Sequence, residues 1–454
     1  MLSVMRNRTY RHLFTAQVVA LVGTGLATVA LSLLAHDIAG RGAPAVLGTA
    51  LAIKMVAYVG IAPLVGAVAD RLPRRALLAA TDVTRAGAAL ALPFVTQVWQ
   101  IYVLIFVLQA ASAVFTPAFQ ATIPEVLPEE RDYTRALSFS RLAYDLESLF
   151  SPALAAGLLT LISYDWLFAG TTAGFLASAA LVVSVALPKP AVPERPAGAR
   201  AKAAFGARLF WATPRLRALL ALDLAVAATG AIVFVDTVVL VRDHFHRPES
   251  ALSLALGAYG AGSVAATLLL PRLLDKAGDR TVMLAAARAL PVALAAVAAL
   301  GAAPPSTWSW VAVLVVWALI GAACSAVLTP GGRVVRRSAT APDLPAAFSA
   351  QFSLSHSCWL LTYPLAGWLA AGAGLPVTAV VLGAVALAAT LAATAIWPAG
   401  DPAQLDHVHA GLEPGHPHLA GARPTRDGWR HRHHYAIDRN HHTWPASGRA
   451  PSRS

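Results

Sequence analysis

The sequence predicts an all-α integral membrane protein, with twelve transmembrane helices in two pseudo-symmetric six-helix bundles. Three observations lead to this fold class. Of the 454 residues, 57% are hydrophobic and only 13% are charged, whereas soluble globular proteins carry roughly 25% charged residues. Apolar segments of membrane-spanning length recur along the chain, and a charged motif appears once in each half. The chain is therefore expected to be embedded in a lipid bilayer.

Apolar segments of about 20 residues, the length that crosses a bilayer, occur about twelve times. They lie near 12–38, 46–69, 77–95, 99–121, 139–163, 166–187, 216–241, 251–272, 282–301, 308–330, 345–371 and 375–397. The proline-rich stretch between the sixth and seventh segments is expected to be an extended connection. The chain thus divides into an N-terminus (1–11), a first bundle (12–187), a linker (188–215), a second bundle (216–397) and a tail (398–454).

The distribution of basic residues predicts the orientation. One set of alternate loops holds 21 Lys and Arg residues, and the other set holds only Arg41, Arg242 and Arg247. Because loops rich in Lys and Arg stay in the cytoplasm, both termini and the linker are expected there, in a multi-pass protein of the cell (plasma or inner) membrane. The net charge of +12 lies in these loops, so no nucleic-acid partner is expected.

Several classes of function are excluded by what the sequence lacks. None of the four lysines completes a phosphate-binding P-loop, and no nucleophile–base or catalytic metal motif appears. Cys324 and Cys358 lie inside apolar segments, which argues against a disulfide scaffold or a cysteine zinc module. We expect no enzyme activity and no cofactor, apart from a transported or tail-bound divalent metal such as nickel.

The two halves repeat a loop motif at an offset of 205 residues. An acid, a base at the next position and a base four positions further recur after the second and the eighth segment. Internal duplication of this kind is how many transporters build a site between two halves. The residues of the two loops, with a preceding glycine, are the gating candidates: Gly66, Asp70, Arg71, Arg74, Arg75, Asp275, Lys276 and Arg280.

The stretch from Gly66 to Arg75 resembles the signature loop of the major facilitator superfamily: Gly, three residues, Asp-Arg, two residues and paired basic residues. The resemblance implies the major facilitator fold and secondary transport of a small solute or metal ion, and we expect the chain to act as a monomer. Carboxylates and arginines at helix ends can hold one conformation of a two-state transporter. The alternative is that the arginines only set the orientation.

Three further stretches resemble the exporter branch that contains nickel-resistance (NreB-type) permeases. They are 7–11 before the first segment, 116–124 at the end of the fourth, and 138–141 in the fifth. A histidine-rich C-terminus distinguishes nickel resistance from relatives that resemble siderophore and drug exporters. This resemblance implies efflux of a divalent metal.

Nine of the fourteen histidines lie in the tail, in closely spaced groups. They are His407, His409, His416, His418, His431, His433, His434, His441 and His442. Neutral imidazole binds nickel, copper, zinc and cobalt, and the composition predicts a flexible chain. We expect metal capture, with a tail of no function and an acid-dependent lipid-binding tail as alternatives.

Ionisable residues inside the apolar segments are the candidates for the transport pathway, since each costs roughly 2.5–3.5 kcal/mol on insertion scales. The ionisable residues within the segments are His36, Asp37, Lys54, Asp82, Arg85, Arg141, Asp145, Glu147, Asp223, Asp236, Arg288 and His356. The pathway candidates among them are His36, Asp37, Lys54, Asp145, Asp223, Asp236 and His356. Lys54 is expected to pair with a carboxylate or to face away from a cation. Helical spacing predicts that Asp82 pairs with Arg85 and that Arg141 pairs with Asp145.

Asp223 and Asp236 are thirteen residues apart. On a straight α-helix this spacing points them to different faces. The hypothesis favoured by the sequence is a nickel exporter, with cobalt as a second substrate, driven by proton antiport. The alternatives are export of an organic solute such as a siderophore or drug, with an incidental tail, and a membrane-bound metal sensor or scaffold.

Overall fold

The computed structural model describes residues 2–39, 43–68, 73–188, 199–401, 404–409, 413, 416–437, 441 and 444. The gating candidates Asp70 and Arg71 lie outside the described residues, as does His442. The side chains of His36 and His434 are also outside the described part of the protein.

Twelve helices of 18 residues or more form the described part of the two halves. The first half contains α1 (Arg8–Ala39), α2 (Ala43–Val68), α3 (Arg74–Ala91), α4 (Val98–Val126), α5 (Glu130–Leu159) and α6 (Tyr164–Val183). The second half contains α8 (Pro214–Ala231), α10 (Glu249–Lys276), α11 (Asp279–Ala302), α12 (Thr307–Leu328), α14 (Leu344–Ala373) and α15 (Leu375–Ile396). Three shorter helices complete the set: α7 (Ala199–Ala212), α9 (Thr237–Val239) and α13 (Gly331–Arg336).

Nine helices of the described residues are long and apolar enough to cross a membrane. The long helices outside this group are α2, α5 and α14. In α2 the apolar stretch identified is the shorter segment Thr49–Pro63. The chain is nevertheless a multi-pass membrane protein, because the remaining helices satisfy both length and hydropathy.

Local sequence signals explain where several helices begin and end. Gln97 and Gln100 form a capping box at the start of α4, and Ser306 and Ser309 form another at the start of α12. Such caps satisfy backbone N–H groups that have no partner in the first helical turn. Gly374 adopts a φ of 81°, which separates α14 from α15 at little steric cost.

The packing of the two halves repeats helix by helix. In the first half α1 packs against α5 and α6, α2 against α4, and α3 against α4 and α6. In the second half α8 packs against α14 and α15, α10 against α12, and α11 against α12 and α15. Between the halves α2 packs against α14, and α5 packs against α10. The structure therefore confirms two pseudo-symmetric bundles.

Small residues allow the closest helix approach, between α10 and α12. A Cβ atom at Gly262 would overlap the backbone of Ala318, and one at Gly321 would overlap the backbone of Tyr259. Helices packed in a membrane use such small residues because close backbone approach maximises van der Waals contact.

The linker differs from the extended connection that its composition predicts. Residues 199–212 form α7, which packs against α2, α8 and α14. Phe205, Leu209 and Phe210 are buried on it. The closely spaced prolines occupy only the first part of the linker. The later, Ala-rich part has the apolar residues with which a helix can pack against neighbouring helices.

The seventh long helix is not a uniform α-helix. Two π-helical segments, Ile232–Asp236 and Leu240–His244, continue α8 and flank the short α9. A π-helix has more residues per turn, so the angular spacing assumed for Asp223 and Asp236 does not apply. The π segments are thus a finding that hydropathy alone does not predict.

The tail also differs from the flexible chain that was expected. It contains a three-stranded antiparallel sheet in the order β1-β3-β2, built from β1 (Gln404–His409), β2 (Arg423–Thr425) and β3 (Gly428–His434). The histidines alternate with other residues in β1 and in part of β3, which is the period of a strand. The tail has few apolar residues, so its composition predicts a flexible chain even though the spacing of its histidines is that of a β-strand.

Candidate functional site

A polar cluster lies between the two halves, where α2 faces α14. His356 of α14 packs edge-on against the ring of Tyr58 of α2, with ring centroids 4.8 Å apart. The ring of Phe352 contacts both in tilted arrangements, with its centroid 4.2 Å from that of His356 and 4.9 Å from that of Tyr58. His356 lies near the middle of α14, the depth that its place in the sequence predicts, and the structure adds that its ring contacts the first half.

The hydrogen bond of His356 defines its chemistry. Nδ1 of His356 lies 2.7 Å from the carbonyl oxygen of Phe352, so Nδ1 carries the proton and donates. In the neutral ring Nε2 therefore keeps its lone pair, which can accept a proton or bind a metal ion. The hydroxyl of Tyr58 donates to Oε1 of Gln109 on α4, at 3.0 Å, and is thereby held in position.

Lys54 and Glu147 bring opposite charges to the same region. Lys54 of α2 interacts electrostatically with Glu147 of α5 and with His356. Its Nζ atom lies 5.6 Å from the centre of the Tyr58 ring. Glu147 is therefore a carboxylate in the electrostatic surroundings of Lys54, and the pairing expected for this lysine stays a prediction. The sequence identifies Glu147 only as one of the ionisable residues within the spans, and it does not point to Tyr58 or Gln109, because periodicity does not show which helices face one another.

A second contact between the halves involves Asp145. Arg141 and Asp145 of α5 form the predicted ion pair, at 3.0 Å. Ser263 of α10 donates to Oδ2 of Asp145 at 2.6 Å, and Arg141 donates to the Ser263 hydroxyl at 3.3 Å. The pair thus neutralises itself and also joins α5 to α10 across the interface.

The other predicted pathway residues do not join the cluster around His356. Asp223 is buried and accepts a hydrogen bond from Nε2 of Gln351, at 2.8 Å. Asp236 is 1% exposed, and its Oδ2 atom has no hydrogen-bond partner among the described residues. Asp37 is exposed and lies beside Tyr164.

Asp82 and Arg85 form the ion pair that their spacing predicts within α3. Ser178 donates a further hydrogen bond to Asp82, at 2.7 Å. The guanidinium of Arg85 lies 4.2 Å from the ring centre of Phe115 and 4.6 Å from that of Phe175. These contacts give the pair a structural role in the first half.

The described gating candidates make unequal contacts. Arg74 is buried and pairs with Glu125 at 2.6 Å, whereas Arg75 is exposed. Asp275 accepts from Nε of Arg131 across the two halves, at 3.4 Å.

The rest of the second-half motif is less engaged with the first half. Lys276 is exposed. Arg280 donates to the carbonyl of Trp397 at 3.2 Å, which keeps this contact within the second half. Gly66 lies in α2.

Arginines of α13 connect the halves more closely than the motif does. Arg333 pairs with Glu130 of α5 at 2.6 Å and with Asp279 of α11 at 2.8 Å. Arg333 also donates to the hydroxyl of Thr134, and Arg336 donates to the carbonyl of Pro128. We call this set of contacts the arginine latch. It closes the end of the molecule where the basic loops lie.

The tail brings five histidines into one group, which we call the histidine cluster. One ligand atom from each residue lies within 4.8 Å of all the others, in the set His407, His409, His418, His431 and His433. The strand register places His407 opposite His431. The alternation within β1 and β3 turns side chains two residues apart to the same face, which is why the sequence spacing produces a cluster.

The spacing of the nitrogen atoms suits a single metal ion. Nε2 of His407 lies 3.0 Å from Nε2 of His409 and 2.9 Å from Nε2 of His441. Imidazole nitrogens bound to one ion at about 2.0–2.1 Å are separated by roughly 3 Å. Nε2 of His431 is buried without a hydrogen-bond partner among the described residues.

Burial lowers the pKa of three of the five histidines, His407, His409 and His431, and so favours their neutral form. It lowers the pKa of His407 to about 4, with neighbouring imidazoles adding to the effect. The pKa of His409 is also lowered to about 4, mainly by burial. Metal ions bind the neutral form, so the lowered pKa values of these three histidines favour metal binding at neutral pH. His416 lies outside the group, and its Nδ1 accepts from the backbone N–H of His418.

Two repeated helical bundles around an interfacial polar cluster define a membrane transporter of the two-bundle class. The model of the Major Facilitator Superfamily matches residues 13–240 and 224–435 of this chain. The chain therefore belongs to the Major Facilitator Superfamily.

Similar proteins support the family but cover the chain only in part. The chain is 25% identical over 206 residues to the uncharacterized MFS-type transporter YfiS of Bacillus subtilis, which is 44% of this chain and 49% of YfiS. It is 25% identical over 182 residues to macrolide efflux protein A of Streptococcus pyogenes, which is 39% of this chain and 44% of that protein. The chain thus spans about half the length of these relatives.

Solved structures share the fold over most of the chain. The human organic anion transporter MFSD10 superposes with a TM-score of 0.70 at 13% identity, covering 85% of this chain and 99% of MFSD10. A bacterial homologue of the iron transporter ferroportin, in an outward-facing state, gives 0.68 at 16% identity, covering 86% and 99%. At these identities the likeness concerns the fold alone.

Proposed function

We propose that the protein exports a divalent transition-metal cation, nickel or cobalt, from the cytoplasm across the cell membrane in exchange for protons. The observation that carries this proposal is the histidine cluster, in which five imidazoles share a space suited to one ion. The basic loops favour a cytoplasmic position for both termini. The tail then collects metal on the side from which export starts.

The polar cluster between the halves supplies groups for the exchange. His356 offers a nitrogen lone pair, and Glu147 offers a carboxylate whose charge is offset by Lys54. When Glu147 takes up a proton, Lys54 loses its counter-charge and repels a cation from the site. When Glu147 releases the proton, the site becomes favourable for a cation again. Metal and proton therefore compete for one site as access alternates.

Flux in proteoliposomes tests the proposal. Vesicles in which the tail faces the lumen are loaded with nickel, cobalt, zinc or magnesium, and a pH gradient is imposed. A metal-sensitive dye reports the metal flux and a pH-sensitive dye reports the proton flux. We expect nickel or cobalt movement coupled to opposite proton movement. Equal nickel movement in vesicles with and without the protein would remove the metal substrate.

Export of an organic solute is the second candidate. It is favoured by the named activity of the macrolide efflux relatives and by the aromatic surroundings of His356, with Tyr58 and Phe352. The same vesicles separate the two: a macrolide that moves under the pH gradient while nickel does not would select this candidate. Deleting residues 401–454 tests whether the tail is needed for either flux.

A further inference from the structure

The tail sheet is fixed to the second bundle by a hydrophobic contact. Tyr435 and Ile437, which follow β3 directly, are buried in the same core as residues of α8, α11 and α15. The ring of Trp444 lies 5.1 Å from the guanidinium of Arg215 at the start of α8. The sheet is therefore docked on the transporter at the arginine-rich end.

Tyr435 joins the histidine cluster to this docking contact. Its ring centroid lies 4.9 Å from that of His407 and 4.4 Å from that of His441. Its backbone carbonyl accepts a hydrogen bond from Nη2 of Arg215, at 3.5 Å. A change in the packing of the imidazoles therefore acts on the same residue that contacts Arg215.

A network of charged side chains continues from the buried Arg215. Asp401, three residues before β1, pairs with Arg215 at 3.5 Å and with Arg337 at 2.9 Å. Nη2 of Arg215 also donates to the carbonyl of Arg337 at 2.7 Å. Both sides of the sheet, before β1 and after β3, thus hold the segment that follows α13.

The network ends in the arginine latch. Arg337 lies 3.3 Å from Asp279, and Asp279 also pairs with Arg333 at 2.8 Å. Arg333 reaches Glu130 of the first half at 2.6 Å. A continuous series of contacts therefore runs from the histidine cluster to the interface between the halves. The first contact is between the rings of His407 and Tyr435, and the contacts from the Tyr435 carbonyl onward are polar.

We infer that metal bound to the histidine cluster acts as an allosteric ligand that stabilises the closed arginine latch. In this structure the assembled cluster, the docked sheet and the closed latch occur together. A ligand that binds one conformation better shifts the population toward it, and this coupling is reciprocal. Metal bound to the tail is then a signal read by the transporter, in addition to being its substrate. The inference rests on the proposed function only for the identity of the metal.

The experiment measures how often the latch opens. Ser138 is buried on α5, one turn after Thr134 of the latch, so a cysteine there is protected while the latch is closed. The reporter is Ser138→Cys with Cys324→Ser and Cys358→Ser, labelled in nanodiscs by an impermeant maleimide. Leu137→Cys, which packs near Gly332 of α13, is a second reporter if the first does not fold.

Nickel alone is expected to slow labelling by about fivefold or more, the low end of typical allosteric coupling. The double variant His407→Ala and His431→Ala should abolish this effect. Asp401→Asn should retain nickel binding by the full-length protein, measured by equilibrium dialysis, and lose the slowing. His416→Ala, a tail histidine outside the cluster, is the matched control and should behave like the parent.

Unchanged or faster labelling with nickel in the parent would overturn the inference. Slowing that persists in the double histidine variant would overturn it as well, because the ion would then act at the transport site. Nickel flux in proteoliposomes is measured separately. Nickel flux without slower labelling contradicts only the inference. Slower labelling without nickel flux contradicts only the proposed function.

Discussion

Single residues in this protein are stabilised by partners that lie on other helices. The buried pair of Asp82 and Arg85 is a clear example, because Ser178 supports the carboxylate and Phe115 and Phe175 enclose the guanidinium. The sequence predicts the pairing from the spacing of three residues. It does not reveal the three supporting side chains, which belong to α4 and α6.

The pair allows a test of how its stability arises. Asp82→Asn leaves Arg85 as an uncompensated buried charge and should cost about 3–5 kcal/mol. The double variant Asp82→Asn and Arg85→Met removes both charges and should recover most of that loss. Thermal unfolding in detergent measures both. Additive losses in the double variant would show that the two residues act independently.

The opposite charges of Lys54 and Glu147, both in the first half, yield a prediction on coupling. Glu147→Gln should reduce metal movement driven by a pH gradient to near the level of protein-free liposomes, because the site loses its exchangeable proton. Glu129→Gln, at an exposed position before α5, is the matched control and should transport normally. If proton-driven flux through Glu147→Gln equalled that of the parent, another residue would have to carry the proton.

At the scale of elements, the hydropathy of a helix does not show which of its glycines lies in a close contact with a neighbouring helix. Gly321 of α12 and Gly257 of α10 look equivalent in sequence, since both lie inside apolar helices. In the structure a Cβ at Gly321 would overlap the backbone of Tyr259, while a Cβ at Gly257 would meet nothing within 4 Å. The difference depends on which face of each helix meets its neighbour.

These two glycines form a matched pair of substitutions. Gly321→Ala should lower the free energy of unfolding by about 1–3 kcal/mol or more, as overpacking does. Gly257→Ala should leave it unchanged or raise it by up to about 1 kcal/mol, because alanine favours a helix more than glycine does. The midpoint of thermal unfolding in detergent compares them. Equal effects at both sites would contradict the close approach of α10 and α12.

The tail shows how composition can obscure an element. The spacing of His407 with His409, and of His431 with His433, is the period of a β-strand, yet few apolar residues accompany it. The sheet is stabilised instead by contact with the second bundle through Tyr435 and Ile437. A segment that depends on docking cannot be assigned from its own sequence, whereas its metal-binding residue types can.

The architecture of the whole molecule is predicted best by the sequence. The offset of 205 residues between the two motifs also separates the starts of α3 and α11, at Arg74 and Asp279. The duplication therefore predicts the helix order and the packing of each half. The duplication does not predict the arginine latch, because Arg333 and Arg336 lie outside the repeated motif.

Removing one ion pair of the arginine latch should make the two halves separate more often at this end. Glu130→Gln removes the ion pair with Arg333 between the halves but keeps the pair with Asp279. Glu130 is 60% exposed, so the pair should contribute about 0.2–1 kcal/mol. Labelling of the Ser138→Cys reporter should then become about 1.4- to 5-fold faster.

The control for that measurement is Glu129→Gln, which changes an adjacent exposed carboxylate that forms no ion pair with any described residue. Its labelling rate should match the parent. Faster labelling in both variants would indicate a general effect of charge at the start of α5 rather than the loss of one contact.

The two π-helical segments after α8 have a consequence for movement within one half. If the first segment, Ile232–Asp236, relaxed to ordinary α geometry, the chain that follows it would advance by one residue. That step is a turn of about 100° and a rise of about 1.5 Å. Asp236 lies at the end of the first segment, so such a ratchet of register would carry its carboxylate from the protein interior toward a new face while both bundles stayed in place.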